Sequence, residues 1–207
     1  MKAILNGPKD PKACLVLAHG AGAGMKHPFM TAIAQGLAGR GITTLRYEFP
    51  YMERGDKRPD PPPVAQKAVR AACAEAAKKF PGVPLFAGGK SFGGRMTSQA
   101  QAESPLEGVR GIIFLGFPLH APGKPSNDRA EHLFKVQVPM LFLQGARDEF
   151  AQLDLLQPLI DKIKDTATLK LFADADHSFH VPASSGRNDQ QVREEMLDAI
   201  AAFIAAR

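Results

Sequence analysis

Gly89, Ser91 and Gly93 spell G-x-S-x-G within the tract Ala87-Gly88-Gly89-Lys90-Ser91-Phe92-Gly93-Gly94. The tract follows the short apolar run Pro84–Ala87 and leads into a helical segment from Gly94 to Ala102. A strand that turns at once into a helix brings the two backbones almost into contact, so the residues two before and two after the turn must be small. The serine between them is held in a strained conformation with its hydroxyl projecting above the sheet. Two rival readings of the glycines fail on single residues. A phosphate-binding loop ending in Gly89-Lys90-Ser91 would need glycine where Pro84 stands. A dinucleotide fingerprint beginning at Gly20 would need Gly or Ala where Met25 stands.

The rest of the chain repeats the same alternation. Strands are predicted at Cys14–Ala18, Thr43–Tyr47, Pro84–Ala87, Gly111–Leu115, Met140–Leu143 and Leu169–Phe172, with a weaker one at Lys2–Leu5. Each is short and uniformly apolar, as expected of strands covered on both faces. Between them lie helical stripes. Pro28 opens one carrying Phe29, Ile33 and Leu37, which Gly39 and Gly41 end. Ala65, Val69, Ala72, Ala76 and Phe80 form another, and Leu153, Leu156, Ile160 and Ile163 a third that Pro158 should kink or restart. Asn188 and Gln191 form a capping-box pattern ahead of a last helix with Val192, Met196, Ile200, Phe203 and Ile204 facing the core. Alternating elements of this kind give a mostly parallel sheet of six to seven strands with helices on both faces, and residues 1–207 are expected to form a single domain.

The N-terminus lacks the apolar core of a signal peptide, and the longest apolar stretch, Ile112–Leu119, is too short to cross a bilayer. Cys14 and Cys73 read as buried free thiols, which points to a reducing cytoplasm. The formal charge is +5, with Lys78, Lys79, Lys90 and Arg95 in a stretch that has no acid between Glu75 and Glu103. This is either a solvated basic face or an attraction for an anionic substrate. A chain without Trp, with two Tyr and no binding motif argues against nucleic acid. No histidine pair has helical spacing beside a carboxylate, so no metal is expected, nor any other cofactor or membrane partner. Oligomeric state is left open.

In a parallel α/β sheet the chemistry gathers outside the carboxyl ends of the strands. Ser91 is there, and so is Asp148, in Gln144-Gly145-Ala146-Arg147-Asp148, and His177, in Asp174-Ala175-Asp176-His177-Ser178-Phe179. A serine hydroxyl needs a base to activate it and the base needs a carboxylate to orient it; the order serine, acid, histidine is that of α/β hydrolases. Glu149, Asp174 and Asp176 compete with Asp148, and His180 with His177. An oxyanion would be held by the amide of Phe92 and by a second amide from the His19–Gly24 loop, Ala21 or alternatively Gly22. His19 is expected to brace that loop. His27, His120 and His132 read as surface or supporting groups. Lys90, Glu48, His120 and Arg95 complete the candidate surroundings of the site. Arg95 falls in the first turn of a helix, where the dipole disfavours a cation, so a compensating carboxylate is expected, with Glu48 as its candidate.

Taken together, Leu17-Ala18-His19-Gly20-Ala21-Gly22-Ala23-Gly24-Met25, His27-Pro28-Phe29-Met30, Arg46-Tyr47-Glu48-Phe49-Pro50-Tyr51, Gly89–Arg95, Gly123-Lys124-Pro125, Gln144–Asp148 and Asp176–Phe179 resemble the small α/β hydrolases typified by testis-expressed protein 30. More loosely, they resemble dienelactone-hydrolase-like proteins. The resemblance spans nearly the whole chain and implies the α/β-hydrolase fold and a Ser91–His177–Asp148 triad. It leaves the substrate open, and a relative that serves as a subunit of a chromatin-modifying complex keeps a scaffold role in view. The leading expectation is a serine hydrolase acting on a small ester or other acyl substrate, whose charge the basic residues would make anionic. A catalytically silent binding module and an acyltransferase using the same triad are the alternatives. The intervals 116–139 and 50–63 are too short for a cap domain, so the site should be open.

Overall fold

The computed structural model describes all residues from Met1 to Arg207. In chain order the elements are β1 (Ala3–Asn6), β2 (Ala13–Ala18), α1 (Pro28–Ala38), β3 (Ile42–Tyr47), α2 (Pro50–Glu53), α3 (Pro62–Lys79), β4 (Leu85–Lys90), α4 (Phe92–Glu103) and β5 (Val109–Leu115). After a 3₁₀ helix at Asp128–Lys135 come β6 (Met140–Gly145), α5 (Leu153–Lys162), β7 (Ala167–Phe172) and α6 (Asp189–Ala205). The strands form one seven-stranded sheet in the order β1-β3-β2-β4-β5-β6-β7. The β1–β3 pair is antiparallel and every other pair is parallel.

Strand periodicity divides the core between the two faces of this sheet. In β2, Cys14, Val16 and Ala18 lie on the face covered by α3, α4 and, farther along the sheet, α5, while Ala13, Leu15 and Leu17 lie on the face covered by α1 and α6. Both sets are buried, which is why the central strands read as continuous apolar runs with no alternation. The last helix begins as expected: the Asn188 side chain accepts from the Gln191 amide at 3.0 Å and the Gln191 side chain accepts from the Asn188 amide at 2.9 Å. Pro158 lies inside α5, which continues through it without restarting.

Several strands run one or two residues beyond their expected bounds, and the two shifts that matter for the site flank Ser91. β4 runs on through Gly88 and Gly89 to Lys90, and α4 begins at Phe92, two residues before Gly94. Glycine lowers strand propensity, so the pair Gly88-Gly89 reads as a turn; here it is strand because neighbouring backbone presses on it. A Cβ on Gly89 would collide with the Ala18 carbonyl, and one on Gly93 would stand 2.5 Å from the His19 carbonyl oxygen and 2.7 Å from that of Ala18. β2 and the elbow around Ser91 are therefore pressed together at the carboxyl edge of the sheet. No cap domain covers that edge: residues 116–139 contain only the 3₁₀ helix, and the 50–63 excursion only α2 and the first turn of α3.

Candidate active site

Ser91 occupies the single residue between β4 and α4, at φ 48° and ψ −116°. A residue with a Cβ is rarely found at positive φ, and the strain is carried here by the packed glycines on either side. Its Oγ lies 2.9 Å from His177 Nε2, and His177 Nδ1 lies 2.6 Å from Asp148 Oδ2. A carboxylate can only accept, which puts the imidazole proton on Nδ1 and turns the Nε2 lone pair towards the serine hydroxyl. The structure thus brings Ser91, His177 and Asp148 together from the ends of β4, β7 and β6.

The carboxylate of Asp148 is fully enclosed and satisfied. Its Oδ1 accepts from the Phe150 amide at 2.8 Å, and its Oδ2 also accepts from Gln144 Nε2 at 2.5 Å. Gln144 in turn accepts the Phe117 amide at 2.8 Å, which ties the acid to the loop after β5. The competing acids lie elsewhere. Glu149 and Asp174 are exposed, and Asp176 Oδ1 accepts from the amides of Ser178 and His180 at 2.7 and 3.0 Å, closing the turn that carries His177. His180 is exposed and paired with Asp189 at 2.9 Å, and that carboxylate raises its pKa above the ordinary histidine value.

The His19–Gly24 loop stands beside Ser91. His19 is fully buried with both nitrogens occupied: Nδ1 donates to the Gly20 carbonyl at 2.8 Å and Nε2 accepts from the Phe49 amide at 3.1 Å. Burial holds its pKa below the ordinary value, so the neutral ring acts as a strut for the loop. Glu48 supports the same loop from beneath by accepting the Met25 amide at 2.7 Å. Ala21 lines the space beside Ser91, whereas Gly22 does not. Phe92 is the first residue of α4, so its amide has no partner one turn back in the helix.

Two expectations about charge require correction. Glu48 is not the partner of Arg95; it is committed to the Met25 amide, and Arg95 has no carboxylate partner, its Nε being buried without a hydrogen bond. The helix dipole disfavours a cation in this first turn, yet no acid stands within reach to compensate Arg95, which lines the space beside Ser91. Nor do the four basic residues form one face. Lys78 and Lys79 lie exposed at the end of α3, the length of β4 away from Lys90. Lys90 Nζ instead donates to the His177 carbonyl at 2.6 Å and sits 5.7 Å from the centre of the Phe179 ring.

His120 and His132 are also structural. His120 Nδ1 donates to the Ala121 carbonyl at 2.9 Å and Nε2 accepts from the Gln152 amide at 3.2 Å, which fastens the loop after β5 to that after β6. His132 Nε2 is 2.7 Å from Ser98 Oγ. His27 supports the site as expected of it, and two further contributors, Phe150 and Gln144, were missed by sequence reasoning. Phe150 packs its ring 4.3 Å from that of His177, Gln144 holds Asp148, and His27 caps α1 by accepting the Phe29 amide at 3.3 Å while lining the space beside Ser91. Only Gln144 left a signal, as an amide at the end of an otherwise apolar strand.

Ser91 opens on two cavities. One, of about 400 Å³, lies towards His177, Phe29, Met30 and Lys90. The other, of about 340 Å³, lies towards Phe92, Arg95 and Arg129.

A mostly parallel sheet with helices on both faces, a strained serine at the β4–α4 elbow and a histidine and acid after later strands define the α/β-hydrolase architecture. The chain belongs to the alpha/beta hydrolase domain family, whose model matches residues 11–205. Similar solved structures share this fold at low sequence identity. A serine hydrolase without lid from Xanthomonas campestris superposes with a TM-score of 0.75 at 21% identity, covering 97% of this chain and 88% of its own. A serine hydrolase homologue from Coxiella burnetii gives 0.75 at 18%, covering 95% and 90%. Dienelactone hydrolase from Anabaena variabilis gives 0.69 at 20%, covering 95% and 88%. No helix is long and apolar enough to cross a membrane.

Proposed function

We propose that the protein is a serine hydrolase that cleaves carboxylic esters or related acyl bonds through Ser91, His177 and Asp148. The observation that carries this reading is the unbroken hydrogen-bonded chain from Ser91 Oγ through His177 to the enclosed carboxylate of Asp148. Ser91 Oγ attacks the acyl carbon while His177 Nε2 takes its proton, and Asp148 stabilises the imidazolium that forms. The amides of Phe92 and Ala21 hold the oxyanion, with the amino end of α4 favouring the negative charge. His177 then passes its proton to the leaving oxygen, the carbon–oxygen bond breaks, and water clears the acyl-enzyme by the same steps in reverse. A silent binding module would have no use for three such groups converging from separate strand ends. The two free, buried thiols, both pushed up to about 12 by burial, support a reducing compartment such as the cytoplasm.

Chain length of the acyl group tests this reading. The site has no cap, and each fully enclosed methylene contributes only about 0.8 kcal/mol. Among 4-nitrophenyl esters, kcat/KM is expected to be highest for acetyl to butyryl and to fall towards dodecanoyl, with no activation by a lipid interface. No turnover of any ester by the purified protein would remove the hydrolase reading; a steady rise to dodecanoyl would require an apolar tunnel.

Lys90 supplies a pH signature. Burial lowers its pKa from 10.5 to about 8, against the opposing pull of Asp148 and Asp176. Above that pH the folded protein gives up the proton and the bond to the His177 carbonyl loses its charge. Activity should therefore decline as pH rises through about 8. Between about 8 and 10.5 the unfolded chain still holds the proton, so stability should rise over the window in which activity falls. Lys90→Met is expected to be slower by roughly 10–100-fold, the equivalent of a charge-assisted hydrogen bond, and to lack the alkaline decline. A Lys90→Met profile that keeps the decline would assign it to another group.

A further inference from the structure

Of the two cavities that meet at Ser91, only one touches His177. Ala21, Ser91 and Phe150 line both and form the saddle between them. In the reaction proposed above the leaving oxygen must face His177 Nε2, because that nitrogen protonates it. The leaving group therefore lies in the cavity lined by His177, Phe29 and Met30. The acyl chain departs from the carbonyl carbon on the opposite side and enters the cavity lined by Arg95 and Arg129.

That second cavity carries positive charge with nothing in the protein to balance it. Arg95 stands in the first turn of α4, where the helix dipole adds to its charge, and its Nε is buried without a hydrogen-bond partner. Arg129 comes from the 3₁₀ helix Asp128–Lys135. The ion-paired arginines of the molecule are Arg40, Arg54, Arg70 and Arg187; neither Arg95 nor Arg129 is among them. Asp60 lines the same cavity, but its Oδ1 is taken by Arg54 at 2.7 Å and its Oδ2 by the Tyr51 amide at 2.7 Å. Asp128 and Glu131 are exposed and reach neither arginine. Burial and the charge of Arg95 lower His132 to about 4, so this neighbour adds no charge near neutral pH. Arg95 itself is held below the ordinary arginine value by burial and by Arg129. Two half-buried guanidinium groups, each a planar fork of donors, match a carboxylate.

We infer that the acyl part of the substrate carries a carboxylate bound by Arg95 and Arg129, so that the preferred substrates are half-esters of dicarboxylic acids. The inference rests on the Ser91 hydrolase reading for the direction in which the acyl chain runs. Hydrolysis of such a half-ester anion consumes one water and releases the dicarboxylate, an alcohol and one proton to solvent. The leaving alcohol meets Phe29, Met30 and Phe150, which suits a benzyl or similar apolar group.

Benzyl esters provide the test. Wild-type kcat/KM would be measured on monobenzyl succinate, glutarate and adipate, each against the neutral benzyl ester of the straight-chain monoacid with the same number of acyl carbons. At least one half-ester is expected to exceed its neutral counterpart by about tenfold or more, the equivalent of one charge-assisted pair. The ratio should shrink in 0.5 M salt and fall towards unity in both Arg95→Met and Arg129→Met. Arg129 lies outside the packed elbow, so its variant stands even if Arg95→Met fails to fold. In parallel, calorimetry on Ser91→Ala protein would compare binding of the same pairs without turnover. A wild type that hydrolyses the neutral esters with no preference for any half-ester, or a preference untouched by both arginine variants, overturns the inference and leaves the hydrolase reading intact. Selective binding of a half-ester by Ser91→Ala, lost in Ser91→Ala/Arg129→Met, with no hydrolysis by the wild type, upholds the carboxylate site and overturns the chemistry assigned to Ser91.

Discussion

Replacing His177 by alanine is expected to lower kcat by on the order of 10⁴–10⁶, about the cost of removing a member of a serine–histidine pair that acts as a unit. Its two nitrogens are both engaged, at 2.9 Å from Ser91 Oγ and 2.6 Å from Asp148 Oδ2, which places it alone between the serine hydroxyl and the enclosed carboxylate. Asp148→Asn should cost on the order of 10⁴, because the amide would favour the wrong tautomer of the ring. His180→Ala is the control. It sits in the same turn but is exposed and paired with Asp189, and its loss should change kcat by no more than about twofold, as for a surface substitution away from the site. Circular dichroism of all three variants would separate chemistry from folding. Full activity in His177→Ala with loss in His180→Ala would reassign the base.

Gly93→Val is expected to cost on the order of 4 kcal/mol or more of stability, or to prevent folding altogether. Its first side-chain carbon would stand 2.5 Å and 2.7 Å from the backbone carbonyl oxygens of His19 and Ala18, and backbone at the end of a central, doubly paired strand has little room to move aside. Gly55→Ala makes the matched comparison. It has a positive φ of 80° but nothing within 4 Å of the added carbon, so only the conformational penalty remains, about 1 kcal/mol. Urea unfolding of the two variants against wild type reads the difference. Equal destabilisation would mean that the elbow is looser than its packing indicates.

The parts of this molecule that were legible from sequence are those where chemistry and position coincide locally. Strands covered on both faces leave uniform apolar runs, and helices between them leave stripes, so the order of elements could be read. Ser91, Asp148 and His177 each follow their own strand by a few residues, and the structure brings the three together. What could not be read depends on contacts made across the chain. The Lys90 bond to the His177 carbonyl joins residues 87 apart, and a lysine next to the elbow serine looks in sequence like any surface cation. Glu48 was expected to meet Arg95 from its charge and its place at the end of the neighbouring strand, yet it accepts the loop amide of Met25, and a backbone donor carries no letter in the sequence. Gly88 and Gly89 suggested a turn because glycine usually does; their place in β4 is set by neighbouring carbonyls that have no sequence signature either.

The central claim is that Ser91 is a nucleophile activated by its place at the elbow. Intact-mass spectrometry after exposure to a fluorophosphonate tests it most directly, since that reagent phosphonylates an activated serine and spares ordinary hydroxyl groups. Wild-type protein should gain one phosphonyl group, with peptide mapping placing it on Ser91, while folded Ser91→Ala protein gains none. Equal labelling of wild type and Ser91→Ala, or no labelling of folded wild type, would contradict the account.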